Sequence, residues 1–549
     1  SAGRDRHDAR ARAFHGGMGD RPPLTYSPTH SNVLNCAAMG LSRVGPPDAG
    51  GFMPTAGDRV RNRCREDRRR AAATESSTVM ATTPIPTDIN TAESGGRRRL
   101  PFSGRLVMAF TFFSMFFGAG NLIFPPFVGA QAGAAAVPAI IGFIVSAVGL
   151  PILGVLAVTF AGGFDELARR VSPAFASLLG VAIMLTIGPC FAIPRTATTS
   201  YEMMVAPFLP SRTGWGGWTT QLAYSLVFFA VAFLLAQHPE KLSAVLGRFM
   251  GPLLLAFIAV LFIACLAHGA VTPTQPTGDY AVHQASRGFL DGYQTMDLLA
   301  ALYFGIVISA NVRAMHVTDN TLIRRETAYA GLGTGILLIV IYAVLGYVGV
   351  VSGSIASVNP ATDTGATVLT NLTASLFGTF GMVFLGIVFV IACLNVCTGL
   401  ICTCATYFHT RFATVAGRRV SYRAWQALFT VFSFVVSNAG LSMIIKVSVP
   451  VLAALYPIAI VLVTLALTHR ILAVHFPRVY FWMVLLVAIV SFATCLASIV
   501  TVFGGSLPWL EAILNMLPLQ QFQLGWIIPA LAGLLIGVLD SAAHSSFKR

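Results

Sequence analysis

The chain has 549 residues, 55% of them hydrophobic and 11% charged, with a mean hydropathy of +0.73 and a formal net charge of +14. Soluble domains carry about a quarter charged residues, so this composition excludes a water-soluble fold and implies an integral membrane protein. The 51 glycines and 29 prolines agree with helices in lipid, where both residues are commoner.

Residues 1–100 differ from the rest. They hold 16 Arg and 10 acidic residues, a net +6, and show no sustained apolar period. Arg59–Arg70 alone carries seven arginines. Such a segment buries too little apolar surface to fold, and it lacks the basic-then-apolar pattern of a signal peptide. Met80 opens what reads as a short cytoplasmic leader. We therefore expect a disordered basic tail, of which residues 1–79 are upstream sequence of a mis-set gene start; the alternative is a basic arm drawn to anionic lipid.

The remaining chain has room for about twelve bilayer-crossing helices of roughly 20 apolar residues each. The apolar runs predict helices over residues 104–131, 136–162, 174–206, 219–237, 244–267, 291–314, 326–352, 374–410, 421–438, 441–468, 478–503 and 523–540. Basic residues cluster in alternate connections: Arg97–Arg99; Arg169 and Arg170; Lys241 and Arg248; Arg313, Arg324 and Arg325; Arg411, Arg418, Arg419 and Arg423; Arg470 and Arg478; Lys548 and Arg549. Basic loops mark the cytoplasmic side, which puts both termini inside. That pattern accounts for the basic excess, so no nucleic-acid partner is implied.

Within the first predicted helix, Phe116-Phe117-Gly118-Ala119-Gly120-Asn121-Leu122-Ile123-Phe124-Pro125-Pro126 joins two glycines, an asparagine and two prolines at mid-membrane. A helix broken there bares backbone groups that lipid cannot satisfy, so the break must face protein or a polar cavity. The sixth helix offers a second candidate break near Gly305, within Tyr303-Phe304-Gly305. The two breaks are offset by five helices, an odd number, so the second five run inverted relative to the first, with substrate held where the broken helices meet. We expect an all-α membrane protein: repeats over residues 101–270 and 288–470, discontinuous helices 1 and 6, and two extra helices over residues 476–545.

A half-helix N-terminus suits a carboxylate, and free carbonyls at the other half suit an ammonium group or a small cation. Gly118, Ala119 and Gly120 are thus candidates for holding an amino acid, with Tyr303, Phe304 and Gly305 lining its pocket. Arg195, Glu202 and Asp297 are candidate gate residues, each weighed against a plainer role: interface anchors for Arg195 and Glu202, a helix cap for Asp297. Cys393, Cys397 and Cys404 share a helix face, but without histidine or carboxylate at zinc-site spacing they read as small packing residues. No catalytic constellation and no phosphate-binding loop ending in Lys-Ser or Lys-Thr appears, so neither an enzyme nor ATP drive is expected, and no cofactor.

The motif at 116–126 resembles the first-helix signature of the branched-chain amino acid:cation symporters. Ile187-Gly188-Pro189-Cys190-Phe191-Ala192-Ile193-Pro194-Arg195-Thr196-Ala197 is similar to that family as well. So are Phe304-Gly305-Ile306-Val307-Ile308 and Val447-Ser448-Val449-Pro450-Val451-Leu452-Ala453-Ala454-Leu455-Tyr456-Pro457. The likeness covers residues 103–540. It implies a leucine-transporter-like fold in a bacterial inner membrane and uptake of leucine, isoleucine and valine with Na+. It also implies a cation site, for which Ser114, Phe117, Asn121, Asn395 and Thr398 are the candidates. Where related symporters place hydroxyl residues on helix 8, this chain has Asn395 and Val396, which leaves H+ open as the coupling ion. The rival readings are a transporter of another neutral amino acid and a receptor or channel without coupling.

Overall fold

The computed structural model describes residues 100–546, apart from 210–214, 238, 270, 315, 316, 318, 361, 416 and 473. The expected tail therefore lies outside the described residues.

The first span is divided into α1 (Phe102–Phe116) and α2 (Ala119–Ala132), and the second runs through α3 (Ala136–Ile144), a π turn and α4 (Leu150–Ala161). After the short α5 (Phe164–Arg169), the third span is α6 (Pro173–Leu185), a π turn at Thr186–Cys190 and α7 (Ala192–Met204). Helices α8 (Trp215–Ala236) and α9 (Pro239–Ala267) complete the first repeat. The sixth span is α10 (Gln284–Gly292), a 3-10 turn and α11 (Asp297–Ala314), followed by α12 (Asn320–Ile355) and α13 (Gly365–Arg411). A two-residue hairpin, β1 (Thr414–Val415) and β2 (Arg418–Arg419), leads to α14 (Tyr422–Ser437) and α15 (Leu441–Leu467). Helices α16 (Val479–Val502), the short α17 (Pro508–Asn515) and α18 (Ile527–Ser546) end the chain. Among the described residues, with helices joined across a break counted once and the short α5 and α17 set aside, this makes twelve helical spans.

Local chemistry sets many of the ends. Ser172 caps α6, accepting from Phe175 N at 3.0 Å, with Pro173 at the first helical position. Asp319 caps α12, accepting from Thr321 N at 2.8 Å. Gly440, at φ +85°, turns the chain from α14 into α15. Gly378 adopts φ +62°, ψ −154° inside α13, so residues 365–377 form a separate helix ahead of the eighth span, which was expected to start at residue 374.

Packing has the exchange that an inverted repeat produces. The first span lies on the seventh, the sixth on the second, and the third on the eighth. Both exchanged pairs approach backbone to backbone. A Cβ at Gly129 would stand 2.0 Å from Gly346 O, and one at Gly349 would stand 2.0 Å from Pro126 O. Between the second and sixth spans, Cβ atoms at Gly142 and Gly288 would lie 2.0 and 1.9 Å from the carbonyl oxygens of Ala285 and Ala139. Small residues permit this contact where no water is present to drive association. At the other end of the first span, Arg105 is paired with the buried Glu326 of α12 through two bonds, of 2.7 and 2.8 Å.

A candidate substrate site at two helix breaks

The first break falls where the glycine motif places it. Phe117 (φ −78°, ψ 94°) and Gly118 (φ −114°, ψ −174°) are extended between α1 and α2. The last carbonyls of α1 and the first N–H groups of α2 thus meet at mid-span without the usual helical partners. Gly118 faces the eighth span, where a Cβ would sit 3.7 Å from a Val396 methyl carbon. Gly120 is more constrained, since a Cβ there would be 2.8 Å from Arg195 Nη2. Ala119 opens α2, and its side chain lies outside the described residues.

The second break is displaced from the expected position. The sixth span starts at Gln284, not 291, and opens at Tyr293–Met296, where Met296 takes the left-handed conformation at φ 62°, ψ 12°. Helix α11 then runs without interruption from Asp297 to Ala314, through Gly305. A lone glycine in an apolar helix is tolerated, and here neighbouring residues keep helical geometry. Three consequences follow for the residues the sequence singled out. Asp297 does not cap the outer end of the span but opens its second half beside the first break. Tyr303 lies two turns further on, its ring 4.8 Å from Phe164 and 5.7 Å from Tyr407. Phe304 packs edge-on against Phe116 at 5.6 Å, and Gly305 follows it, away from the break.

The two breaks are joined by a buried polar contact. Asn121, 2% exposed, donates from Nδ2 to Asp297 Oδ2 at 2.7 Å and to the Tyr342 hydroxyl at 2.6 Å. Asp297 is 4% exposed. Arg195, 5% exposed, comes from α7 and donates from Nη1 to Gln294 O at 2.7 Å. Its guanidinium lies 5.2 Å from the Phe124 ring centroid. From α15, Ser448 donates to Gln294 Oε1 at 3.1 Å and Tyr456 stacks on Tyr293 at 4.0 Å. Spans 1, 3, 6, 7 and 10 therefore converge on one mid-depth point that carries a carboxylate, a guanidinium and the N-terminal ends of α2 and α11.

The other candidates are placed less centrally. Ser114 is exposed on α1. Phe117 is buried, its ring stacked on Phe113 at 4.7 Å. Thr398 donates to its own helix at Leu394 O, 2.8 Å away, and lies about 200° around α13 from Val396. Asn395 is half-buried. Glu202 is half-buried and about 10 Å beyond Arg195 by helical rise. Cys393, Cys397 and Cys404 are buried free thiols, and no metal-binding cluster of three or more such side chains occurs among the described residues. Gln294, Tyr342, Ser448 and Tyr456 were not anticipated. The usable signal was Gly292 followed by Asp297 and an apolar helical run, a stop and a start.

Comparison with known proteins gives a consistent result. Residues 103–544 match the family described as "Branched-chain amino acid transport protein". The branched-chain amino acid transport system 2 carrier protein of Pseudomonas aeruginosa is 38% identical over 441 residues, covering 79% of this chain and 95% of the carrier. The branched-chain amino acid permease BrnQ of Bacillus subtilis is 35% identical over 439 residues, 79% of this chain and 96% of the permease. Its namesake in Salmonella typhimurium is 36% identical over 445 residues, 80% and 96% respectively. Among solved structures, the inward-facing conformation of Mhp1 has a TM-score of 0.50 at 11% identity over 81% of this chain and 91% of Mhp1, a likeness of fold in the leucine-transporter class. The chain is a multi-pass membrane transport protein, and it belongs to the branched-chain amino acid transport protein family.

Proposed function

We propose that this protein is a secondary active symporter that imports leucine, isoleucine and valine by alternating access across a bacterial inner membrane, with both termini cytoplasmic. The reading rests chiefly on the joining of two broken spans at mid-depth through Asn121 and Asp297, the arrangement in which transporters hold small zwitterions. The free N–H groups at the start of α2 receive the substrate carboxylate, helped by the positive end of that half-helix. The ammonium group faces the carbonyl end of α1 and the Asp297 side. An aliphatic side chain finds apolar surface at Phe116, Phe117 and Phe124, all buried beside the break.

The family likeness points to Na+ as the coupling ion. A second reading, coupling to H+, is favoured by two observations. Val396 presents methyl groups to Gly118 where a sodium-binding hydroxyl would be wanted, and a buried carboxylate, Asp297, stands at the centre. Purified protein in proteoliposomes, given labelled leucine under an imposed Na+ or H+ gradient, separates these. Accumulation driven by one gradient identifies the ion. Equilibration without accumulation would sink the symporter reading, and displacement of leucine by unrelated neutral amino acids would change the cargo.

A further inference from the structure

Arg195 is a buried cation with few partners, one of them the Phe124 ring 5.2 Å from its guanidinium. Among the described residues its side chain makes one hydrogen bond, from Nη1 to the neutral carbonyl of Gln294, and no ion pair within 4.0 Å. A guanidinium carries five N–H donors in a planar fork. Removing such a charge from water is costly unless it is paired. The buried carboxylate of this site, Asp297, accepts from Asn121 through Oδ2 and forms no ion pair with Arg195 within 4.0 Å.

The direction of the unused donors is set by Gly120. Nη2 and Cζ lie 2.8 and 3.3 Å from where a Cβ on that residue would be, so the guanidinium rests directly over the first turn of α2. Two sources of positive potential, the fork and the half-helix N-terminus, are therefore aimed at one buried spot. The two repel each other, and an anion seated between them relieves that repulsion. A carboxylate accepts two parallel bonds from a guanidinium and further bonds from free backbone N–H groups.

Resting on the function proposed above, we infer that Arg195 is the fixed counter-charge for the carboxylate of the transported amino acid. The Gln294 carbonyl holds the fork in place from the broken part of the sixth span, and Gly120 leaves the space for it. Arg195 then sets specificity for α-carboxylates, and it does not act as an outer gate. Because it belongs to the third span while its two neighbours belong to the sixth and first, a bound carboxylate ties the three together.

The test compares leucine with leucinamide, which keeps the ammonium group and side chain but has no carboxylate. Binding of each is measured calorimetrically on the full chain in lipid nanodiscs. Wild type should prefer leucine by about 100-fold. Arg195→Gln keeps a donor for Gln294 O but no charge; leucine should weaken by about 100-fold, to the level of leucinamide, whose own binding is unchanged. A monodisperse Arg195→Gln protein that keeps both its affinity for leucine and its preference over leucinamide overturns the inference. Should that variant aggregate, Arg195→Lys decides. Leucine binding weakened about 10-fold with leucinamide unaffected supports the role, and unaltered leucine binding refutes it. Failure of wild type to bind leucine, isoleucine or valine strikes the proposed function instead. The same variants are then read with the neutral amino acid that wild type does bind, and with its amide.

Discussion

The two breaks are made by different means. In the first, Gly118 supplies an extended linkage that brings no side chain between α1 and the eighth span. In the second, no glycine lies among Tyr293, Gln294, Thr295 and Met296, and a methionine carries the positive φ. A non-glycine residue in that conformation costs on the order of 1 kcal/mol, so tertiary contacts must impose it. Those contacts are visible: Arg195 on the Gln294 carbonyl, Ser448 on its side chain, and Tyr456 against Tyr293. One break is written in backbone freedom, the other in the grip of its neighbours.

The largest effect that would test this contrast is at the contact between the breaks. Asp297→Ala removes the carboxylate that joins the two breaks and takes from Asn121 one of its two acceptors. Stability should fall by about 1–3 kcal/mol, read as a drop in melting temperature in nanodiscs, with leucine uptake lost. Next comes a pair of glycine substitutions. Gly120→Leu should abolish leucine uptake, because its side chain must enter the space of the Arg195 fork at 2.8 Å. Gly118→Ala meets Val396 methyl carbons at 3.7 and 3.9 Å and Asn121 Oδ1 at 4.0 Å, all ordinary contacts, in an accessible conformation, and uptake should stay within about threefold of wild type. Equal damage from both would mean that the first break does not depend on where its glycines stand.

At the second break, Met296→Ala and Met296→Gly both remove the buried side chain, so their difference isolates the backbone. The glycine variant should be more stable than the alanine variant by about 1 kcal/mol, measured by denaturation. The smallest effect concerns Tyr303. Tyr303→Phe should leave the KM for leucine within about twofold, since its ring lies by Phe164 and Tyr407 and not at the break.

Much of the fold was legible because lipid imposes length and polarity on each pass. The twelve runs, the glycine-marked break and the five-helix offset between the broken spans all follow from apolar lengths and loop charge. The position of the second break did not, for a physical reason. Gly305 keeps helical geometry with its neighbours, whereas the turn that ends at Met296 is held through Gln294 by residues 99 and 154 positions from it in sequence. The same holds for Asp297. Its placement at an outer helix end assumed an unbroken span. Once the span begins at Gln284, that residue falls at mid-depth, opposite Asn121. Glycine alone was too weak a guide, and the stop and start around residues 292–297 was the better one.

The glycine seam between α2 and α12 has a mechanical meaning. Carbonyl oxygens there occupy sites that any Cβ would fill, at Gly129 and at Gly349. Interlocked main chains of this kind leave no lubricating layer of side chains, so the two rods cannot slide past each other by a fraction of a residue. They must tilt as a single lever. The ion pair of Arg105 with Glu326 at the opposite end is of another nature: it is a clasp of long side chains, able to unfasten and refasten while the lever keeps its shape.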